Sequence, residues 1–134
     1  MTIPRLFGLL VLAQAAHSVE EYVGKLYEVF PPARAVSAAI SDDLERGFVI
    51  FNVLLVAFGV ACYLGPVRRG WSIAPLVVWV WIVIELVNGI GHPVWTIAAG
   101  RYTPGVITAV IILPIAMLLA IASLRPDLPR PARR

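Results

Sequence analysis

The chain has 134 residues, 60% of them hydrophobic and only 14% charged, with a mean hydropathy of +0.86. A soluble domain carries about a quarter charged residues, so the composition excludes an ordinary water-soluble globule and points to a one-domain integral membrane protein. The net charge of +3 does not point to nucleic acid, because the basic residues sit in short loops and a tail and form no single patch. The single cysteine, Cys62, excludes an internal disulfide or a CxxC metal site.

A membrane-crossing helix needs about 20 mostly apolar residues. The first such run extends from Leu6 to Val29 and turns polar in its second half. Met1 to Ala16 has some features of a signal peptide, but the helical pattern continues beyond it, so this stretch is expected to stay on the chain. A short interfacial helix is expected near Ala33 to Ile40.

The second span covers 46–64. It opens after Asp42, Asp43 and Glu45, acidic residues that suit a helix N-terminus, and ends at Gly65-Pro66 and Arg68-Arg69. The third covers 71–97 and is interrupted by Pro93, with Trp71 and Trp95 as interface anchors. The fourth covers 103–124, with Thr103 as its cap, Pro104 in the first helical position and Pro114 as a kink. The predicted fold is therefore an all-α, four-helix transmembrane bundle over 1–124, followed by a Pro/Arg-rich tail, 125–134.

Four spans put the N-terminus, the second loop and the tail on one side, with Arg5, Arg68, Arg69, Arg125, Arg130, Arg133 and Arg134. The other side has Lys25, Arg34, Arg46 and Arg101, diluted by Glu28, Asp42, Asp43 and Glu45. The positive-inside rule then places both termini in the cytoplasm, and the tail beside anionic headgroups.

Ionisable side chains inside a span are costly and mark functional sites by default. The first span has Gln14, His17 and Glu21 at i, i+3 and i+7, with Glu20 alongside; the third repeats the spacing with Glu85, Asn88 and His92. Each set makes one stripe on one helix face. Both stripes lie late in outward-running spans, so they meet in the outer half of the bilayer, where Tyr102 opens the fourth span. The bland alternatives are an interfacial helix end for Glu20 and Glu21, a packing histidine at His17, and an interhelical amide at Asn88. The coincidence of His17, Glu21, Glu85, Asn88 and His92 at one depth favours a site.

His17-Ser18-Val19-Glu20-Glu21 reads HxxEE, a second histidine follows at His92, and Tyr102 to Gly105 reads YxPG. This trio in this order resembles the HXXEE-domain family of small bacterial membrane proteins, over roughly Leu6 to Leu124. The resemblance implies that His17, Glu20, Glu21, His92 and Tyr102 are signature positions, and that the chain sits in a bacterial inner membrane. It brings no mechanism with it.

Two chemistries suit these residues. Histidine nitrogen and carboxylate oxygen suit zinc, iron or manganese, with His17, Glu21 and His92 as ligands, although no HExxH or EExxH motif is present. Alternatively a carboxyl group in an apolar cavity is a proton donor for metal-free isomerisation or cyclisation, similar in residue type to membrane sterol isomerases of the emopamil-binding kind. A third reading is non-enzymatic: a small transporter or a proton-, metal- or lipid-binding subunit. The expectation is an enzyme acting on a small lipophilic substrate from the bilayer, as a hydrolase, lyase, isomerase or cyclase. His17, Glu21 and His92 form its core, with Glu20, Glu85 and Asn88 positioning groups or moving protons, and Tyr102 at the mouth. A homodimer is left open.

Overall fold

In the computed structural model the described residues are Met1–Arg125. The rest of the tail, including Arg130, Arg133 and Arg134, which enter the charge count above, lies outside them. Among the described residues every regular element is helical: α1 (Ile3–Val23), α2 (Leu26–Val29), α3 (Pro31–Ile40), α4 (Leu44–Cys62, continuing as a π-helical turn over Tyr63–Val67), α5 (Ala74–Ala99) and α6 (Val106–Leu124). Helices suit this composition because they satisfy all of their own backbone groups where no water is at hand. The stretch Leu44–Val67, together with α5 and α6, is long and apolar enough to cross a membrane.

Several boundaries differ from the sequence expectation, each for a local reason. The first run does not reach Val29 as one helix. Gly24 closes α1 through its N–H to the Glu20 carbonyl (2.9 Å), and Lys25 turns left-handed at φ 54°, so Leu26–Val29 is a separate turn. The second helix carries on through Gly65-Pro66, because a wider π-helical turn absorbs the proline that lacks an N–H. Its start is capped as the acidic cluster suggests, with Asp43 accepting from the Arg46 N–H at 3.0 Å. Thr103 does not cap the last helix and Pro104 is not its first residue. The helix starts at Val106 after Gly105, which stands at φ +93°. Pro93 and Pro114 sit inside helices that continue through them.

Helix α6 packs between α1 and α5, while α4 lies on the other flank of α1 with α3 across its start. The approach of α5 to α6 is close at Gly89, where a Cβ would stand 2.8 Å from that of Leu113. One end of the molecule is an apolar core of Leu6, Phe7, Leu10, Trp81, Ile112 and Leu119, among others. There Trp81 reaches α4, stacking on Phe58 (6.2 Å between centroids) and covering Gly59. The exterior is apolar too: Leu12, Val53, Leu54, Val83, Val87 and Met117 are all exposed. The buried polar side chains Gln14, His17, Ser18, Glu21, Asn52, Glu85 and His92 lie on the N-terminal half of α4 and towards the C-terminal halves of α1 and α5. A protein that is oily outside and polar within one end is solvated by lipid.

Candidate functional site

The stripe on α1 faces the bundle. His17 is completely buried, and Gln14 and Glu21 are nearly so. The α5 stripe meets it, with Glu85 and His92 buried and Asn88 partly so. Glu21 Oε1 lies 3.2 Å from His17 Nε2 and 3.2 Å from His92 Nε2. One ligand atom from each of the three residues falls within 4.8 Å of the others. The two imidazoles meet edge to face, with centroids 4.7 Å apart and planes at 89°.

The other nitrogen of His17 sets the chemistry of this cluster. His17 Nδ1 is 2.8 Å from Thr108 Oγ1, and Thr108 Oγ1 donates to Glu20 Oε2 at 2.5 Å. A hydroxyl has one proton and a carboxylate can only accept, so His17 Nδ1 carries the hydrogen and Thr108 accepts it. In the neutral ring Nε2 then bears a lone pair. That buried atom has no aligned hydrogen-bond partner, yet it faces the Glu21 oxygen at 3.2 Å. Two electron pairs in that position call for a cation, either a proton or a metal ion. Ligands at about 2.0–2.1 Å from one ion stand roughly 3–3.4 Å apart, which matches both His–Glu spacings.

Glu20 points away from Glu21 and serves α6. Its Oε1 accepts from the Tyr102 hydroxyl (2.9 Å) and the Ile107 N–H (3.1 Å), and its Oε2 accepts from the Thr108 N–H (2.8 Å). A carboxylate from the first helix thus caps the last one, where unpaired N–H groups and the helix dipole favour a negative charge. Burial and then the Glu20 carboxylate push the Tyr102 hydroxyl above the ordinary phenol range, so the proton stays on Tyr102 and the bond runs from Tyr102 to Glu20.

Behind the cluster Gln14 links Glu85 to Ser18. With its amide nitrogen towards α5, Gln14 donates to both Glu85 oxygens (3.1 and 3.0 Å) and accepts from Ser18 at 3.2 Å. With the amide turned over, its nitrogen donates to Ser18 instead. Ser18 donates to Asn52 Oδ1 (2.7 Å), and Asn52 donates to the Phe48 carbonyl (3.1 Å). Asn88 reaches Glu85 and Gln14 only over long contacts of 3.5 Å.

The seven candidate site residues therefore fall into three groups. His17, Glu21 and His92 form one cluster. Glu85 and Asn88 adjoin Gln14. Glu20 and Tyr102 hold the start of α6 and reach His17 only through Thr108. Sequence reasoning missed Thr108 and the bonding role of Ser18, while Asn52 is visible in it as a polar group that the second span brings to the same end of the bundle. Thr108, in a helix start, carries no such signal.

A family model described as "Protein of unknown function with HXXEE motif" matches residues 8–119. No curated protein and no solved structure matches the chain. The HxxEE residues of that motif are those that here bring a histidine and a carboxylate to His92 and a second carboxylate to α6. With the match covering most of its length, the chain belongs to the HXXEE family.

Proposed function

We propose that the protein is a membrane-embedded enzyme acting on a small lipophilic substrate, with one divalent metal ion held by His17 Nε2, Glu21 and His92 Nε2. The observation that carries this reading is the lone pair of His17 Nε2, fixed by Thr108, buried without an aligned partner and facing a carboxylate. Two histidines and one carboxylate are a donor set for zinc or iron(II) that leaves positions open to substrate; manganese tolerates it as well. Such an ion polarises a substrate oxygen or activates water. Thr108 holds the His17 ring by its Nδ1–H, the kind of outer contact that orients metal-ligating histidines. Asn88 and Glu21 line a cavity beside the cluster, together with His92, and Glu85 lies behind them as a proton store.

The same reading takes α1 as a fourth span. Its 21 residues reach about 31 Å, enough for a hydrocarbon core of about 30 Å. With both termini cytoplasmic in a bacterial inner membrane, the site faces the outer leaflet. The direct acid–base alternative, an isomerase or cyclase, is favoured by one observation: Glu85 sits within the same polar assembly as a second carboxyl group. Transport is the weaker reading, because the end of the bundle opposite the site is packed apolar.

The test is metal content. The protein purified in mild detergent is measured by mass spectrometry beside the double variant His17→Ala/His92→Ala, with elution profile and helicity checked for both. Near-stoichiometric metal that disappears in a folded variant supports the metalloenzyme. Metal in neither protein overturns it and moves the chemistry to Glu21 and Glu85.

A further inference from the structure

A cavity of about 360 Å³ opens between α4 and α5 at the level of the site. Its polar wall carries Glu21, His92, Asn88 and Gln14, and its apolar wall includes Phe51, Leu55 and Ile84. The helices close on each other at the far end, where Trp81 lies against Phe58 and Gly59. Above the site, Phe30, Ala33 and Val36 cover the cavity. The remaining way in is sideways, past Phe51, which is exposed on the lipid-facing surface.

The lining selects by charge. Among the described residues no lysine or arginine contributes to it, and Glu21 is its one acidic residue. A phosphate or carboxylate head would have only the metal ion to receive it, with Glu21 already offsetting half of that charge, and would lose its hydration against the apolar wall. A neutral molecule with a hydrocarbon body and one oxygen function meets both walls: the body lies along Leu55 and Ile84, and the oxygen reaches Glu21, His92 and the Asn88 amide. The size falls within the range of cavities that hold small ligands.

We propose that this cavity is the substrate site, entered laterally from the bilayer between α4 and α5, and that its ligand is an uncharged lipid bearing one oxygen function, such as a long-chain alcohol, ketone or epoxide. The proposal rests on the enzymatic reading above, to which it adds the class of substrate and its route.

The full chain in lipid nanodiscs is photolabelled with hexadecanol carrying a diazirine and an alkyne, and separately with the phosphate monoester of the same probe. Labelled peptides are then mapped. The expected result is labelling of α4 and α5 by the alcohol, competed by unlabelled hexadecanol, with the phosphate ester labelling far less. Ile84→Trp, which fills the cavity, is expected to cut labelling by about tenfold or more; Val83→Trp, on the exposed neighbour, is expected to leave it unchanged. Leu55→Phe repeats the test with a smaller change, should Ile84→Trp not fold. Equal labelling by both probes, or alcohol labelling indifferent to the filling variants, overturns the proposal. Metal content read on the same samples separates the two claims. Stoichiometric metal without specific labelling sinks the lipid site alone, and specific labelling without metal sinks the metal reading alone.

Discussion

Gly105 lies so close to His92 that a Cβ added to it would stand 2.7 Å from the imidazole Cε1 and 2.8 Å from Nδ1. The same atom would come within 2.9 Å of His17 Cε1. The glycine of the YxPG turn is thus a spacer for both histidines, at a positive φ that L side chains avoid.

Gly105→Ala is expected to lower stability by about 1–2 kcal/mol from backbone strain alone, and in addition to displace His92 and reduce metal content. Gly100→Ala is the control, because it shares a positive φ but has open space around it. Thermal unfolding in detergent and metal analysis of both variants check this. Equal metal content in the two would show that room at His92 does not matter.

Thr108 is expected to matter through its hydroxyl. Thr108→Val removes the acceptor for His17 Nδ1–H and the donor to Glu20, and should weaken metal binding about 10–100-fold. Thr108→Ser should restore it. Competition with a fluorescent chelator measures both, and a valine variant that binds as tightly as the wild type would show that His17 is not oriented through this contact.

Glu20→Gln should destabilise the protein by about 1–2 kcal/mol, through loss of negative charge at the start of α6. Tyr102→Phe removes one hydrogen bond of the four and should cost less, about 1 kcal/mol. Reversible unfolding in mixed micelles ranks the two. A larger loss for Tyr102→Phe would place the weight of this contact on the tyrosine and not on the cap.

Glu85 is expected to be a neutral carboxylic acid in the folded protein. Were it ionised, Gln14 would have to turn its nitrogen to it, and the single proton of Ser18 would face two acceptors, Gln14 and Asn52. Asn52 cannot turn to help, since its nitrogen serves the Phe48 carbonyl. With Glu85 protonated, every bond runs one way: Glu85 to Gln14, Gln14 to Ser18, Ser18 to Asn52, Asn52 to Phe48. Infrared spectroscopy should show a protonated-carboxyl C=O band that Glu85→Gln removes while the fold persists. A band unaffected by this substitution would assign the proton elsewhere.

Much of this was legible in the sequence. Apolar length gave the helices, and i, i+3, i+7 spacing put Gln14, His17 and Glu21 on one face and Glu85, Asn88 and His92 on another. Periodicity reports which residues share a face but not which helix that face meets. The role of Glu20 therefore stayed hidden, because its partners are Tyr102, Ile107 and Thr108, more than 80 residues away. The same limit explains Thr103. A threonine before Pro-Gly resembles a local cap, but Glu20 already caps the helix, and Thr103 instead pairs with the Thr96 hydroxyl.

The cap that α1 lends to α6 also bears on how the molecule comes into being. The carboxylate is synthesised early and the N–H groups it serves arrive more than 80 residues later, so α6 enters the bilayer with its first turn unpaired until it finds α1. Helices α1 and α6 are thereby stitched together at the place where His17 is oriented. A chain interrupted between α5 and α6 would have both histidines and both carboxylates of the motif, yet nothing to set the imidazole, so the site is complete only once α6 has docked.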